Sequence, residues 1–150
     1  MTASPADDPL GLCLSLTRAS AVVTNRLDRS LSGLHGLGFQ DFSILYHLSR
    51  APEQRLRRVD LAHRLELTPS GVTRSLLPLE KRGLVDREAH PDDARAAYAS
   101  LSRAGKRLLA DALATAQQVS AECLHGLPDL QAGSLQTALG KLAGINLSNR

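Results

Sequence analysis

The segment from Val59 to Arg74 restricts the possible folds more than any other part of the chain. Val59-Asp60-Leu61-Ala62-His63-Arg64-Leu65 has apolar residues at helical spacing, with Val59, Ala62 and Leu65 expected on one side. Thr68-Pro69 then reads as the start of a second helix, a capping hydroxyl followed by proline at the first helical position. Helices joined by so short a turn must cross closely, and Leu61, Ala62, Leu65, Leu67 and Val72 supply the small apolar core that fixes the crossing. This is the layout of a helix-turn-helix, whose second helix offers its N-terminal face to base edges in a DNA major groove. Thr68, Ser70, Gly71, Thr73, Arg74 and Ser75 surround that exposed start. Short hydroxyls and one arginine suit phosphate and base contacts, and the helix N-terminus itself favours an anion.

The flanking sequence extends the pattern. Asp8-Pro9 opens a first helix with apolar spacing through Leu10, Cys13, Leu14, Ala21, Leu27 and Leu31 to about Ser32, with Leu34 just beyond. A glycine-rich joint, Gly33 to Gly38, leads to a second helix over 39–49 with Phe42, Leu45 and Leu48 inward. Ala51-Pro52-Glu53-Gln54 reads as a turn. The helix that begins at Thr68-Pro69 runs to Lys81 or Arg82 and stops at Gly83. Leu84 to Glu88 and Ala96 to Leu101 read as two short strands around a polar turn, His90 to Arg95. Ser102 caps a long amphipathic helix, and Pro128-Asp129 opens a last one containing Leu135, Leu139, Leu142 and Ile145. The expected fold class is mainly α with a small β-hairpin wing, a winged helix-turn-helix flanked by terminal helices.

At this point the chain resembles a known family. Leu61-Ala62-x-x-Leu65, Thr68-Pro69-Ser70, Val72-Thr73-Arg74, and Leu79-Glu80-Lys81-Arg82-Gly83-Leu84-Val85 are similar in order and spacing to the core of the MarR transcription regulators. Asp93-x-Arg95, Leu101-Ser102 and Gly105 continue the match through the hairpin. The resemblance implies one domain over 1–150, with dimerisation helices at about 9–36 and 102–147 and a DNA-binding part at about 37–101. It also implies that Arg95 enters or borders the minor groove while Asp93 orients a nearby arginine. A pseudo-palindromic operator, a homodimer and a small-molecule effector are the expected partners, with repression relieved by the effector. His35, Phe39, Phe42 and Tyr46 lie around the joint where the family keeps its ligand pocket.

Two departures stand out. Pro78 falls inside the recognition helix, where it removes a backbone donor and is expected to bend the rod. Ala94 sits where relatives are often basic, and Ala97-Tyr98-Ala99 is a weak strand.

Charge supports a polyanionic partner. From Arg50 to Arg107 there are 13 Lys/Arg against eight Asp/Glu, whereas the remainder has five against seven. Arg57, Arg58, Arg64 and Arg82 read as surface charges, some within reach of phosphate, and His63 and His90 as solvated. Asp86 and Arg87 are expected to pair across the hairpin. Long apolar stripes on the terminal helices exceed what one small domain can cover, which favours a dimer.

Other chemistries find little footing. The five histidines have no ligand spacing, no hydrolytic triad can be assembled, and Gly33-x-x-Gly36-x-Gly38 lacks the order of a phosphate loop. The chain is therefore expected to be a non-enzyme without metal or cofactor. Cys13 and Cys123 are too few and too far apart for a disulfide scaffold. Cys13 resembles the reactive thiol of the family's peroxide-sensing branch, with Cys123 near its resolving partner, but two buried structural cysteines is the reading preferred here. A protein-interaction module that keeps the fold without reading DNA is a further alternative. With no secretory leader and no spanning segment, a cytoplasmic location is expected.

Overall fold

In the computed structural model, residues 8–93 and 97–144 are described. The first helix, α1 (Pro9–His35), begins where Asp8 accepts the Gly11 amide at 2.9 Å and Pro9 takes the first helical position. It runs past the expected end near Ser32 and stops at Gly36, whose left-handed backbone (φ 61°) lets its N–H bond back to Leu31 and Ser32. Gly33 is thus absorbed into the helix, since a single interior glycine costs only about 1 kcal/mol. A 2.8 Å hydrogen bond between His35 Nε2 and Thr115 Oγ1 then ties the helix end to the long fifth helix, α5 (Arg103–Leu124).

Helix α2 (Phe39–Arg50) buries Phe42, Ile44, Leu45 and Leu48. Ala51 and a short 3-10 turn (Pro52–Gln54) connect it to a strand that sequence reasoning missed, β1 (Arg55–Arg57). Three residues with one apolar member cannot display a period-two pattern, so only the tertiary pairing reveals this strand. β1 lies antiparallel to β3 (Ala97–Leu101), with Leu56 opposite Ala99, and β3 pairs in turn with β2 (Val85–Ala89). The sheet order is β1-β3-β2.

Helices α3 (Arg58–Leu65) and α4 (Pro69–Lys81) form the crossing pair. Leu61 and Ala62 are buried, but Val59 is 48% exposed, contrary to its expected inward place. At about 100° per residue, Val59 lies some 160° around the helix from the buried Leu61. Val72, Leu76 and Leu79 complete the core between α4, α2 and the sheet. Helix α6 (Asp129–Leu142) closes the described chain.

The terminal helices are the least covered. On α1 only Leu27 and Leu31 are buried, while Leu10, Leu14 and Leu34 of the expected stripe stay open, with Leu12 and Val22. Leu135, Leu139 and Leu142 of α6 are open too. Among the described residues no helix is long and apolar enough to cross a membrane.

Candidate nucleic-acid interface

The turn between α3 and α4 is built by local chemistry. Glu66 adopts a left-handed backbone (φ 51°) and ends α3, and the Leu67 amide bonds back to Ala62 at 2.9 Å. Thr68 stays extended and its Oγ1 accepts the Gly71 amide at 3.0 Å, capping α4 directly before Pro69. Thr68→Ala should therefore lower stability by about 1 kcal/mol. For a chain of this length that corresponds to a fall in Tm of roughly 2–4 °C, readable by thermal denaturation.

On α4, Ser70, Arg74, Leu77 and Lys81 recur at helical spacing on the face opposite the buried Val72, Leu76 and Leu79, and all four are exposed. Leu77, 46% exposed, was not among the residues picked from sequence. Its spacing of seven from Ser70 is the feature that places it on this face.

Ser75, Thr73 and Gly71, also expected at the site, are engaged within the protein. Ser75 is half-buried and its Oγ accepts from Gln40 Nε2 at 2.8 Å, so it packs toward α2. Thr73 is exposed, but its hydroxyl donates to the Pro69 carbonyl at 3.2 Å and accepts from Arg58 at 3.4 Å. Gly71 is half-buried against Thr68 and Leu67. Helix α4 continues through Pro78 to Lys81.

Arg58 corrects the expectation of a surface charge. Its Nη2 meets Glu80 Oε1 at 2.7 Å with the two side chains only 17% and 20% exposed, which clamps α3 to α4. Arg57 forms a two-pronged contact with Asp60 at 2.8 and 3.1 Å, and that hydrogen bond holds its guanidinium more firmly protonated. Arg64 and Arg82 are exposed as expected.

In the hairpin, Asp86 and Arg87 do not pair with each other. Register sets Ser100 opposite Asp86 and Ala99 opposite Arg87, while neighbouring residues of one strand point to opposite faces. The cross-strand ion pair is instead Arg55 with Glu88 at 3.3 Å. His90 is half-buried and stacked on Tyr98 rather than solvated. Asp93 is exposed, and Ala94 and Arg95 lie outside the described residues, as does Ile145.

Comparison with known proteins bears on this arrangement. A family model described as MarR family matches residues 35–96, which takes in the α3–α4 pair and β2 and ends just before β3. The structure of Sco3205, a MarR family transcriptional regulator from Streptomyces coelicolor solved in complex with DNA, superposes with a TM-score of 0.84 at 25% identity. It covers 99% of this chain and 92% of that one. Residues 35–96 of the chain are thus similar to the MarR family, and the fold is that of its solved regulators. The transcriptional regulator BldR from Sulfolobus solfataricus also matches, at 25% identity and TM-score 0.84, over 95% of this chain and 99% of that one. CouR from Rhodococcus jostii, solved with p-coumaroyl-CoA, shares the fold at 24% identity and TM-score 0.82, over 99% and 100% of the two chains. A search of curated proteins found no match.

The chain has a cleft of about 460 Å³ between α2 and α5, open on one side. Phe39, Phe42 and Tyr46 line it as a ladder of near-parallel rings, with centroids 6.4 and 6.1 Å apart, and Leu113 and Gln117 face them from α5. His35, expected here, is not a lining residue, because its ring is turned to Thr115 at the end of α1. His47, unforeseen, is. Burial lowers the His47 pKa and the nearby positive charge of Arg64 lowers it further.

The folded protein consequently binds fewer protons at His47 than the unfolded chain does. Its contribution to stability is fully present above the ordinary histidine value of 6.5 and is lost as pH falls below it. His47→Gln should flatten that part of the stability–pH curve, measured by denaturant unfolding at several pH values.

The cysteines also depart from expectation. Cys13 is exposed on α1, whereas Cys123 is half-buried against the core. Among the described residues no group of histidine, cysteine and carboxylate side chains could hold a metal ion.

Proposed function

We propose that this chain acts as a homodimer that reads a pseudo-palindromic DNA site and represses transcription until a small ligand binds. The observation that carries this reading is the outward face of α4, where Ser70, Arg74, Leu77 and Lys81 follow a capped helix start in the most basic stretch of the chain. Arg74 offers a bidentate donor to guanine or phosphate, Ser70 a hydroxyl, and Leu77 an apolar contact for a thymine methyl. Arg95 and Asp93 take the wing roles that family resemblance assigns them. The Sco3205 complex with DNA supports the same use of the fold.

Dimerisation accounts for the uncovered leucines of α1 and α6, which one chain leaves in water. Residues at about 9–36 and 102–147 form the dimer and about 37–101 the DNA-binding part. Two-fold symmetry then sets two α4 helices about one DNA turn apart. An apolar, ring-bearing effector fits the α2–α5 cleft, and CouR offers a parallel in its p-coumaroyl-CoA complex. Occupying that cleft favours a spacing between α2 and α5 in which the two recognition helices no longer match successive grooves. A thiol-sensing form of the reading draws on the exposure of Cys13, and loss of peroxide-induced DNA release in Cys13→Ser is its expected result.

The deciding experiment is selection of random duplex DNA by the purified protein at two salt concentrations, followed by sequencing. Enrichment of an inverted repeat with half-sites about one turn apart is expected. Weak, sequence-blind, steeply salt-dependent binding would overturn the reading in favour of a protein-interaction module.

A further inference from the structure

One face of the small sheet is used by the core, where Leu56 of β1 and Ala99 of β3 are buried opposite each other. The alternate positions fall on the other face. There Tyr98 in the central strand stands opposite Arg57 of β1 and Glu88 of β2, with Arg55 and His90 two residues along on either side. These diagonal neighbours meet over the tyrosine. The Arg55 guanidinium carbon lies 5.0 Å from the Tyr98 ring centroid, and the His90 ring lies 5.5 Å from it at an interplanar angle of 15°.

The stack is anchored on both flanks. Arg55 is held by the carboxylates of Glu53 and Glu88. Glu53 and Gln54 both have positive φ, 53° and 55°, a conformation unfavourable for residues with side chains. On the other flank the Asp92 amide donates to His90 Nδ1 at 3.1 Å. In that bond Nδ1 is the acceptor. The imidazole thereby joins the sheet to the first turn beyond β2, in the loop that contains Asp93.

We infer that His90 is a positioning residue of the wing: stacked on Tyr98, which Arg55 also engages, it sets the direction in which the loop after β2 leaves the sheet. The inference rests on the proposed role of the wing in DNA binding. The test relies on variants of the stack and on the free protein.

In the free full-length protein, the Asp92 amide should exchange faster in His90→Ala than in the wild-type protein. His90→Asn replaces the acceptor with a side-chain oxygen that can bond an amide two residues on. That variant should keep the amide protected. On the duplex selected by the wild-type protein, His90→Ala and Tyr98→Leu should each weaken binding roughly fivefold or more, the scale of one lost base contact. His90→Asn and Tyr98→Phe should stay near wild type, all with unchanged Tm. Wild-type affinity in His90→Ala and Tyr98→Leu, or an Asp92 amide equally protected in His90→Ala, overturns the inference. If the wild-type protein selects no sequence, the DNA reading fails, and amide exchange alone decides whether His90 orders the loop.

Discussion

Arg74→Ala combined with Arg95→Ala is expected to weaken binding to the selected duplex by at least 100-fold. Arg74 is the one arginine on the outward face of α4, with no carboxylate engaging it among the described residues, unlike Arg55, Arg57 and Arg58. A good arginine–base pair contributes about 1–3 kcal/mol of discrimination, and a dimer loses each contact twice. Loss of one contact per half-site is therefore worth roughly 2–6 kcal/mol, before the wing arginine is counted. Fluorescence anisotropy at several salt concentrations separates the contributions. Each phosphate contact removed lowers the slope of log K against log salt by about 0.9, whereas loss of base readout leaves the slope and lowers the preference over random DNA. Unchanged affinity and slope would remove α4 from the interface.

Gly105→Ala is expected to destabilise the fold by about 3 kcal/mol, the upper range for forcing a methyl group into a packed site. An added Cβ would stand 2.1 Å from the Leu84 carbonyl oxygen and 2.9 Å from Leu101 Cδ1. The first obstacle is backbone and cannot rotate away. The same carbonyl accepts the Ser102 amide at 3.2 Å, while Ser102 Oγ donates to the Gly83 carbonyl at 2.6 Å and accepts from the Gly105 amide at 3.0 Å. Displacing α5 would thus loosen its own cap and its hold on the start of β2. Calorimetry should show a Tm lower by roughly 6–12 °C. Gly33→Ala is the control, because its Cβ would meet nothing within 4 Å. An interior helical alanine there should raise stability by up to about 1 kcal/mol. A Gly105→Ala protein as stable as the parent would mean that α5 slides freely on the hairpin.

Wherever a local rule acts within one turn of chain, it was legible in the residues. Asp8-Pro9, Thr68-Pro69 and Ser102 all cap the helices they were expected to cap, because a cap needs only an oxygen and an amide three residues on. The buried faces of α2 and α4 follow from helical periodicity in the same way. The α3–α4 pair was identifiable because its turn is too short to allow other geometries.

Tertiary structure decided what depends on partners far along the chain. β1 exists because β3, some 40 residues later, offers it a free edge. Arg58 clamps α3 to α4 because Glu80 lies across the α3–α4 crossing. His35 at the end of α1 is turned to Thr115 of α5, a partner 80 residues on that no local spacing can foretell, whereas His47 lines the cleft one turn and a residue beyond Phe42. The sequence by itself determined the helix starts, the crossing pair and the family pattern, all products of short-range sterics and hydrogen bonding. Which polar side chains remain available at the site, and which are consumed in holding it together, was settled only when distant segments packed, because burial and pairing are properties of the assembled chain.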